Sequence, residues 1–220
     1  MSENLLYHGT TNTNIKELEP KKLTSADPNH EARVYSSHVL ALAAIFTLPK
    51  DRITNPGMSG IITNSEGQKY VHTVLLEEIT NETEAEFRLA LNSRGLSNGQ
   101  IQEAITANRD FYMRAKNTPV AVYTLNQRDF KLSVHNQHEH FATEPVAHIP
   151  HLKRIYQSAF HALQNTGVKV ISLPIADFLE FKDFKEKADP KEKISGFIKQ
   201  GKVLNLSVYE ANPEFSVFEN

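Results

Sequence analysis

The amino-acid sequence predicts an α+β fold, in which short strands and helices are mixed along one chain. Residues 70–76 alternate apolar with polar side chains and favour a strand, whereas residues 97–116 carry apolar side chains at helical spacing. Strands and helices do not alternate regularly, which argues against a doubly wound parallel sheet. No G-x-G-x-x-G or P-loop motif follows a predicted strand, so a nucleotide would be held by another kind of site.

The first part of the chain is predicted to begin with a strand and to contain one buried helix. Residues 5–8 form an apolar run that predicts a strand with a histidine at its exit. We expect one or two helical turns within residues 11–19. A short strand over residues 34–37 leads into residues 39–48, which are apolar on nearly all sides and predict a buried helix ended by Pro49.

The middle of the chain is predicted to carry a helical insertion, residues 82–117, between strands. Its two expected helices cover residues 83–94 and 97–116. The polar residues 135–140 predict a loop. The flanking strands are expected at residues 70–76, 119–125 and 130–134.

The last part of the chain changes character at residue 174. Before it we expect an extended segment, an amphipathic helix and a strand, at residues 141–149, 151–164 and 168–173. After it, charged amphipathic helices are expected at residues 178–187 and 190–200, followed by a closing strand or appendage at residues 203–209. The predicted organisation is therefore a domain over residues 1–173 with an extension, residues 174–220, packed on the same domain.

Composition excludes several classes of protein. The 220 residues include 24 Lys and Arg against 26 Asp and Glu, so we expect no strong general nucleic-acid footprint and no binding to an anionic membrane. The lack of cysteine excludes disulfides, thiolate metal ligands and a thiol nucleophile. No apolar run approaches the ~20 residues of a membrane span and no signal peptide is evident, which predicts a cytoplasmic protein; signal-less export or translocation stays compatible with this.

Three separated motifs point to one kind of site. Residues 6–10 are Leu-Tyr-His-Gly-Thr, residues 34–37 are Val-Tyr-Ser-Ser before an alanine-rich apolar stretch, and residues 138–146 are His-Glu-His-Phe-Ala-Thr-Glu-Pro-Val. In order and character they resemble the diphtheria-toxin and poly(ADP-ribose)-polymerase branch of the ADP-ribosyltransferase superfamily, with its His-Tyr-Glu triad. The resemblance covers residues 5–173 in layout. It implies split mixed β-sheets with surrounding helices and a helical insertion.

The resemblance implies a catalytic set of Glu139, His8 and Tyr35. Cleavage of the nicotinamide–ribose bond of NAD passes through an oxocarbenium-like state, so a carboxylate beside the ribose, here Glu139, stabilises the developing charge. In this family the backbone of the residue after the histidine, here Gly9, pairs with the carboxamide, and the triad tyrosine stacks on the ring. His8 would bond a ribose hydroxyl as a neutral imidazole. The expected NAD-binding residues are His8, Gly9, Thr10, Tyr35 and Ser36.

Each of these residues also has a purely structural interpretation. Tyr35 alone is typical of a core aromatic, Glu139 of a solvated loop carboxylate, and Ser36 of a helix cap. Their joint occurrence in the family's order favours the functional interpretation. A second acid, Glu144, lies close to Glu139, and the sequence leaves open which of the two is catalytic.

Histidines late in the chain raise a metal hypothesis. His138 and His140, two residues apart, would face the same side of a strand, where two imidazoles can bind one zinc ion. No cysteine and no acidic ligand at helical spacing completes such a site, so we expect solvated or pairwise hydrogen-bonded histidines and no metal. The group comprises His135, His138, His140, His148 and His151.

These observations predict an NAD-dependent mono-ADP-ribosyltransferase, a glycosyltransferase of a type found among toxins and effectors. NAD is the expected substrate, and the acceptor, whether a protein, a nucleic acid, a small molecule or water, is not identified by any motif. One alternative is a non-catalytic binding module with the same fold. The other is an RNA 2′-phosphotransferase-like enzyme, which matches less well because that branch needs basic residues at a phosphate site and an extra N-terminal domain.

Overall fold

The structure, a computed structural model, describes residues 5–21, 32–63, 66–133, 137–185 and 189–209. Within these ranges it is an α+β fold, which confirms the predicted class. Its helices are α1 (Leu40–Ile45), α2 (Glu84–Asn92), α3 (Asn98–Asn117), α4 (Ala159–Asn165), α5 (Ile175–Lys185) and α6 (Lys191–Lys199). Its strands are β1 (Leu5–Thr10), β2 (Glu17–Leu18), β3 (Val34–Ser37), β4 (Ser59–Thr63), β5 (Lys69–Leu76), β6 (Val120–Asn126), β7 (Lys131–Leu132), β8 (Glu139–Ala142), β9 (Val146–Ala147), β10 (Arg154–Tyr156) and β11 (Lys169–Leu173).

The largest sheet has the strand order β10-β6-β1-β3-β8-β7 and is nearly interrupted in its middle. β1 pairs with β6 along its whole length, from Leu5 opposite Asn126 to Thr10 opposite Ala121. Between β1 and β3, in contrast, the register contains the single pair Tyr7 and Ser37. The sheet therefore consists of two three-stranded parts that meet at one point.

Helix α1 packs against β1 and β3 beside this junction. A Cβ atom on Gly9 would lie 1.9 Å from the carbonyl oxygen of Ala43 in α1, so this contact requires glycine. Consecutive side chains of β1 pack into different hydrophobic cores, one on each face of the sheet. Tyr7 packs on the core that contains α1, whereas Leu6 belongs to the core on the other face of the sheet.

A second layer is built on the three-stranded sheet β11-β5-β4. β11 lies parallel to β5, and β4 is antiparallel to β5. The helices of the insertion and of the C-terminal extension share one hydrophobic cluster against this sheet, which includes Phe87 and Ile105 from the former and Phe178 and Ile194 from the latter. Helices α5 and α6 are thus part of the core that also holds α2 and α3.

Several segments differ from the sequence-based expectation. Residues 11–19 form no helix, because Asn12 and Asn14 sit in side-chain-bonded turns and β2 follows. The expected helix over residues 151–164 is divided into β10, which pairs with β6, and α4, which Ser158 caps by accepting a bond from the backbone nitrogen of His161 at 3.1 Å. Glu139 and His140 belong to β8 rather than to a loop, because β3 supplies a pairing partner.

The closing strand expected at residues 203–209 is one bridge, Val203 to Ile171, followed by a 3-10 turn. Several expectations fall outside the described residues: the end of the strand at Val134, the histidine at His135, the end of the helix at residues 186–187, and the extension from residue 210 onward. In the part of the chain that the structure describes, no helix is both long and apolar enough to cross a bilayer.

Candidate functional site

A cavity of about 740 Å³ lies beside the junction of the two halves of the large sheet. β3 contributes Tyr35, Ser36 and Ser37 to its wall, and β8 contributes Glu139. Ser37 is the direct cross-strand partner of Glu139, and Tyr35 lies two residues earlier on the same strand. Because paired residues and residues two apart share a face of a sheet, Tyr35, Ser37 and Glu139 project from one face.

Two aromatic side chains line this cavity. Tyr35 is half-buried on β3, and Phe46 follows the last residue of α1. Phe46 is 67% exposed, whereas its neighbours Ala44, Ile45 and Leu48 are buried. Exposure of a large apolar side chain beside a buried helix is unusual. An exposed aromatic face inside a cavity is suited to contact with a flat ligand ring.

Glu139 brings a negative charge to the same cavity. It is half-buried at the start of β8, and its backbone oxygen accepts a hydrogen bond from the nitrogen of Ser133 at 2.9 Å, which fixes the strand start. Among the described residues, no lysine or arginine forms an ion pair with its carboxylate. Glu144 lies beyond β8 in an exposed bend and does not belong to the described lining of the cavity.

His8 joins the two halves of the sheet at their junction. Its Nδ1 lies 2.6 Å from the carbonyl oxygen of Tyr35, and because a carbonyl only accepts, Nδ1 carries the proton in this contact. Burial lowers the pKa of His8; the bond to Tyr35 opposes this and nearby Lys21 adds to it. The imidazole is therefore neutral at pH 7, with Nε2 left as a hydrogen-bond acceptor.

The other residues of the first motif do not line the cavity. Gly9 pairs with Val122 and presents its Cα to α1, so its tight fit serves packing of the helix. Thr10 is half-buried, and its hydroxyl accepts a hydrogen bond from the nitrogen of Asn12 at 3.2 Å. Alternation places the His8 side chain on the face of β1 opposite to Tyr7 and Gly9, outside the cavity lining.

The remaining wall comes from the loop that follows α1. Asp51 accepts bonds from the nitrogens of Ile53 at 3.1 Å and Thr54 at 2.7 Å, so this carboxylate stabilises the loop. Lys50 and Arg52, both exposed, add positive charge to the lining. Arg52 and Phe46 are absent from the sequence-predicted site because no motif marks them, and Phe46 falls in a stretch whose apolar pattern indicates a core helix.

Three histidines cluster at the edge of the cavity. The Nδ1 of His138 lies 3.3 Å from the Nε2 of His38, and the ring of His140 meets that of His38 edge-on with centroids 5.8 Å apart. Gln137 contacts the other ring nitrogen of His138 at 3.3 Å. In the described ranges, no group of three or more histidine and acidic side chains has an arrangement suited to a metal ion.

The structure thus brings Tyr35, Ser36 and Glu139 to one cavity and links His8 to it through the backbone of Tyr35. Gly9 and Thr10 lie next to His8 on β1 but outside the cavity wall. The chain matches no family model, and comparisons with curated proteins and with solved structures give no match either.

Proposed function

We propose that this chain is an NAD-dependent mono-ADP-ribosyltransferase that cleaves the nicotinamide–ribose bond and transfers ADP-ribose to an acceptor. The observation that carries the proposal is the joint lining of one cavity by Tyr35, Phe46 and Glu139. A cavity of about 740 Å³ lies within the range of small-molecule sites. The near-interruption of the large sheet agrees with the split sheets that the resemblance implies.

Cleavage of the nicotinamide–ribose bond requires a negative charge beside the ribose and an aromatic surface for the ring, and these side chains provide both. As the bond between C1′ of the ribose and the ring nitrogen breaks, its electron pair leaves with nicotinamide and positive charge develops on the ribose. The carboxylate of Glu139, which forms no ion pair with a lysine or arginine among the described residues, stabilises that charge. The acceptor then attacks C1′ and loses its proton to solvent or to a base. Tyr35 and Phe46 provide aromatic surface for the nicotinamide ring, whose planar shape favours stacking.

His8 has a positioning role in this proposal. Its bond to the carbonyl of Tyr35 fixes the strand that carries the stacking residue. Because the His8 side chain lies outside the described lining of the cavity, we assign it this contact through Tyr35 rather than a bond to the ribose. Lys50 and Arg52 supply positive charge for the pyrophosphate of NAD.

The test is release of nicotinamide from NAD by the purified protein. Glu139→Gln preserves shape and removes charge, so we expect NAD binding to persist while the release rate falls by about two to three orders of magnitude. Glu144→Gln is the matched control and should keep the wild-type rate, because Glu144 is exposed outside the cavity. A full rate in Glu139→Gln with a loss in Glu144→Gln would overturn the assignment of Glu139.

The same assay separates the two alternatives. A binding module would show ligand-dependent stabilisation with NAD but no nicotinamide release from the wild-type protein. A 2′-phosphotransferase would consume NAD only when RNA with an internal 2′-phosphate is added, and it would remove that phosphate. Nicotinamide release without such an RNA supports the transferase.

A further inference from the structure

A second cavity adjoins the first one and is lined by basic side chains. Its volume is about 600 Å³, and it shares Ile61 and His138 with the first cavity. Its wall combines the end of β4, the start of β5, the residues before β8 and the start of α6. His138 is the immediate neighbour of Glu139, so the two cavities meet beside the proposed catalytic carboxylate.

The titratable side chains that line this cavity are all basic. Its titratable lining residues are Lys69, Lys191, His38 and His138, and no aspartate or glutamate is among the described lining residues. Lys69 is exposed at the first position of β5. The ammonium group of Lys191 lies 3.1 Å from the carboxylate of Asp189, a contact between two exposed side chains that a bound anion can replace at little cost.

The basic groups are close enough to influence one another. Burial lowers the pKa of His138, and the adjacent His38 and Lys69 lower it further, as expected where positive charges gather. His138 and His38 are already in contact at 3.3 Å. These four side chains come from positions 38, 69, 138 and 191, so the fold alone assembles them.

We propose that this cavity binds a phosphoryl group of the acceptor, so that the acceptor is a nucleotide or a nucleic-acid end bearing a phosphate. The acceptor role rests on the proposed transferase function. A phosphoryl group carries up to two negative charges and several acceptor oxygens, which suits two lysines and two histidines better than the single charge of a carboxylate. Because the two cavities share Ile61 and His138, an acceptor held here by its phosphoryl group would extend toward the cavity that contains Glu139.

The experiment measures binding of pyrophosphate, a 5′-mononucleotide and a 5′-phosphorylated oligonucleotide by calorimetry, in the absence of NAD. The same titrations with Lys50→Ala/Arg52→Ala measure the share of binding that belongs to the first cavity, and this share is subtracted. The test variant is Lys69→Ala/Lys191→Ala, and the control is Lys131→Ala/Lys199→Ala, which removes the same charge from exposed positions outside the cavity. We expect the test variant to bind pyrophosphate at least tenfold more weakly and the control to bind like the wild type. Unchanged melting temperatures verify that both variants fold.

The three probes identify the source of the phosphoryl group. Binding of the mononucleotide as tight as that of the oligonucleotide indicates a small acceptor, and tighter binding of the oligonucleotide indicates a nucleic-acid end. Equal affinity of the test and control variants for all probes would overturn the site.

A second assay separates this site from the proposed NAD site. The test variant should release nicotinamide from NAD at the wild-type rate when water is the acceptor. A matching loss of NAD affinity would instead make the cavity part of the NAD site and refute the acceptor role. If the wild-type protein released no nicotinamide but its lysines still bound pyrophosphate, the transferase function and the acceptor role would fail while the anion site stood.

Discussion

His8 combines two properties that a pH experiment can separate. Its Nδ1 donates to the carbonyl of Tyr35 at 2.6 Å, and burial lowers its pKa from the ordinary value of 6.5. The unfolded chain therefore binds more protons than the folded one as pH falls below 6.5. The stability due to neutral His8 is present above that pH and is lost as pH falls through the folded pKa.

We predict that His8→Asn weakens this pH dependence. The asparagine amide can donate to Tyr35 in place of Nδ1 but does not titrate. The fall in the free energy of unfolding between pH 7.5 and pH 5.5, measured by urea denaturation, should be smaller in the variant than in the wild type. Other histidines with lowered pKa, including His140 and His161, contribute equally to both proteins and cancel in the comparison. His151→Asn, at an exposed position, is the control; equal slopes in all three proteins would contradict the prediction.

A second prediction at the scale of one residue concerns the tight packing of Gly9 against α1. A Cβ there would lie 1.9 Å from the carbonyl oxygen and 2.9 Å from the carbonyl carbon of Ala43, and a helix backbone cannot shift that far without losing its packing. Gly9→Ala should lower the free energy of unfolding by about 3 kcal/mol. Gly196→Ala is the matched control.

Gly196 lies in α6 with no atom within 4 Å of an added Cβ. Its replacement should stabilise the protein by up to about 1 kcal/mol, through helix propensity. Urea denaturation measures both effects. A Gly9→Ala protein as stable as the wild type would contradict the close packing of α1 against Gly9 of β1.

At the scale of elements, Asn108 connects α3 to the wall of the first cavity. It is fully buried, its Oδ1 accepts from the nitrogen of Ile79 at 2.9 Å, and its Nδ2 donates to the oxygen of Glu77 at 3.1 Å and to the hydroxyl of Thr54 at 3.2 Å. Thr54 closes the loop that carries Arg52. One amide thus anchors the insertion to the strand exit and to the loop beside the cavity.

Asn108→Ala should lower the free energy of unfolding by about 2 to 3 kcal/mol, because the buried nitrogen of Ile79 and oxygen of Glu77 lose their partner. Asn117→Ala, which removes an exposed amide from the same helix, should change it by less than about 0.5 kcal/mol. Chemical denaturation gives both values. Equal effects of the two substitutions would show that the buried network does not stabilise the insertion.

Elements with their own local signals could be predicted from the sequence, and elements that depend on pairing could not. α3 begins at a capping box of Ser97 and Gln100, and its apolar period agrees with the observed helix. β10, in contrast, lies in a stretch whose apolar residues have helical spacing. Tyr156 of β10 is buried and pairs with Val120 of β6, 36 positions earlier in the chain. This strand pairing overrides the local helical preference.

The same limit applies to the whole molecule. Motifs marked Tyr35 and Glu139 because their residue types have a recognisable chemistry, and the structure places both in one cavity. No pattern marked Phe46, whose exposure results from where α1 ends, nor the basic cavity, whose lysines are more than a hundred residues apart. Those features depend on how the two sheets and α6 meet, which one sequence does not encode locally.

The final prediction concerns how the cavity as a whole binds NAD. A ligand that binds the folded state alone raises stability by RT ln(1 + [L]/Kd), about 2.7 kcal/mol when NAD is at a hundred times Kd. NAD should therefore raise the melting temperature, and Tyr35→Ala or Phe46→Ala should reduce the shift. Loss of one stacking partner weakens binding by about 0.5 to 1.5 kcal/mol, up to about tenfold in Kd.

Phe46→Ala gives the sharper result, because a side chain that is 67% exposed contributes little to folding, so the protein without NAD should melt close to the wild-type temperature. Leu89→Ala is the control: it removes a 72% exposed apolar side chain from α2, outside the cavity, and should leave the shift unchanged. Equal shifts in the Phe46 and Leu89 variants would remove Phe46 from the ring site. The absence of any shift with millimolar NAD in the wild type would leave the cavity without its proposed ligand.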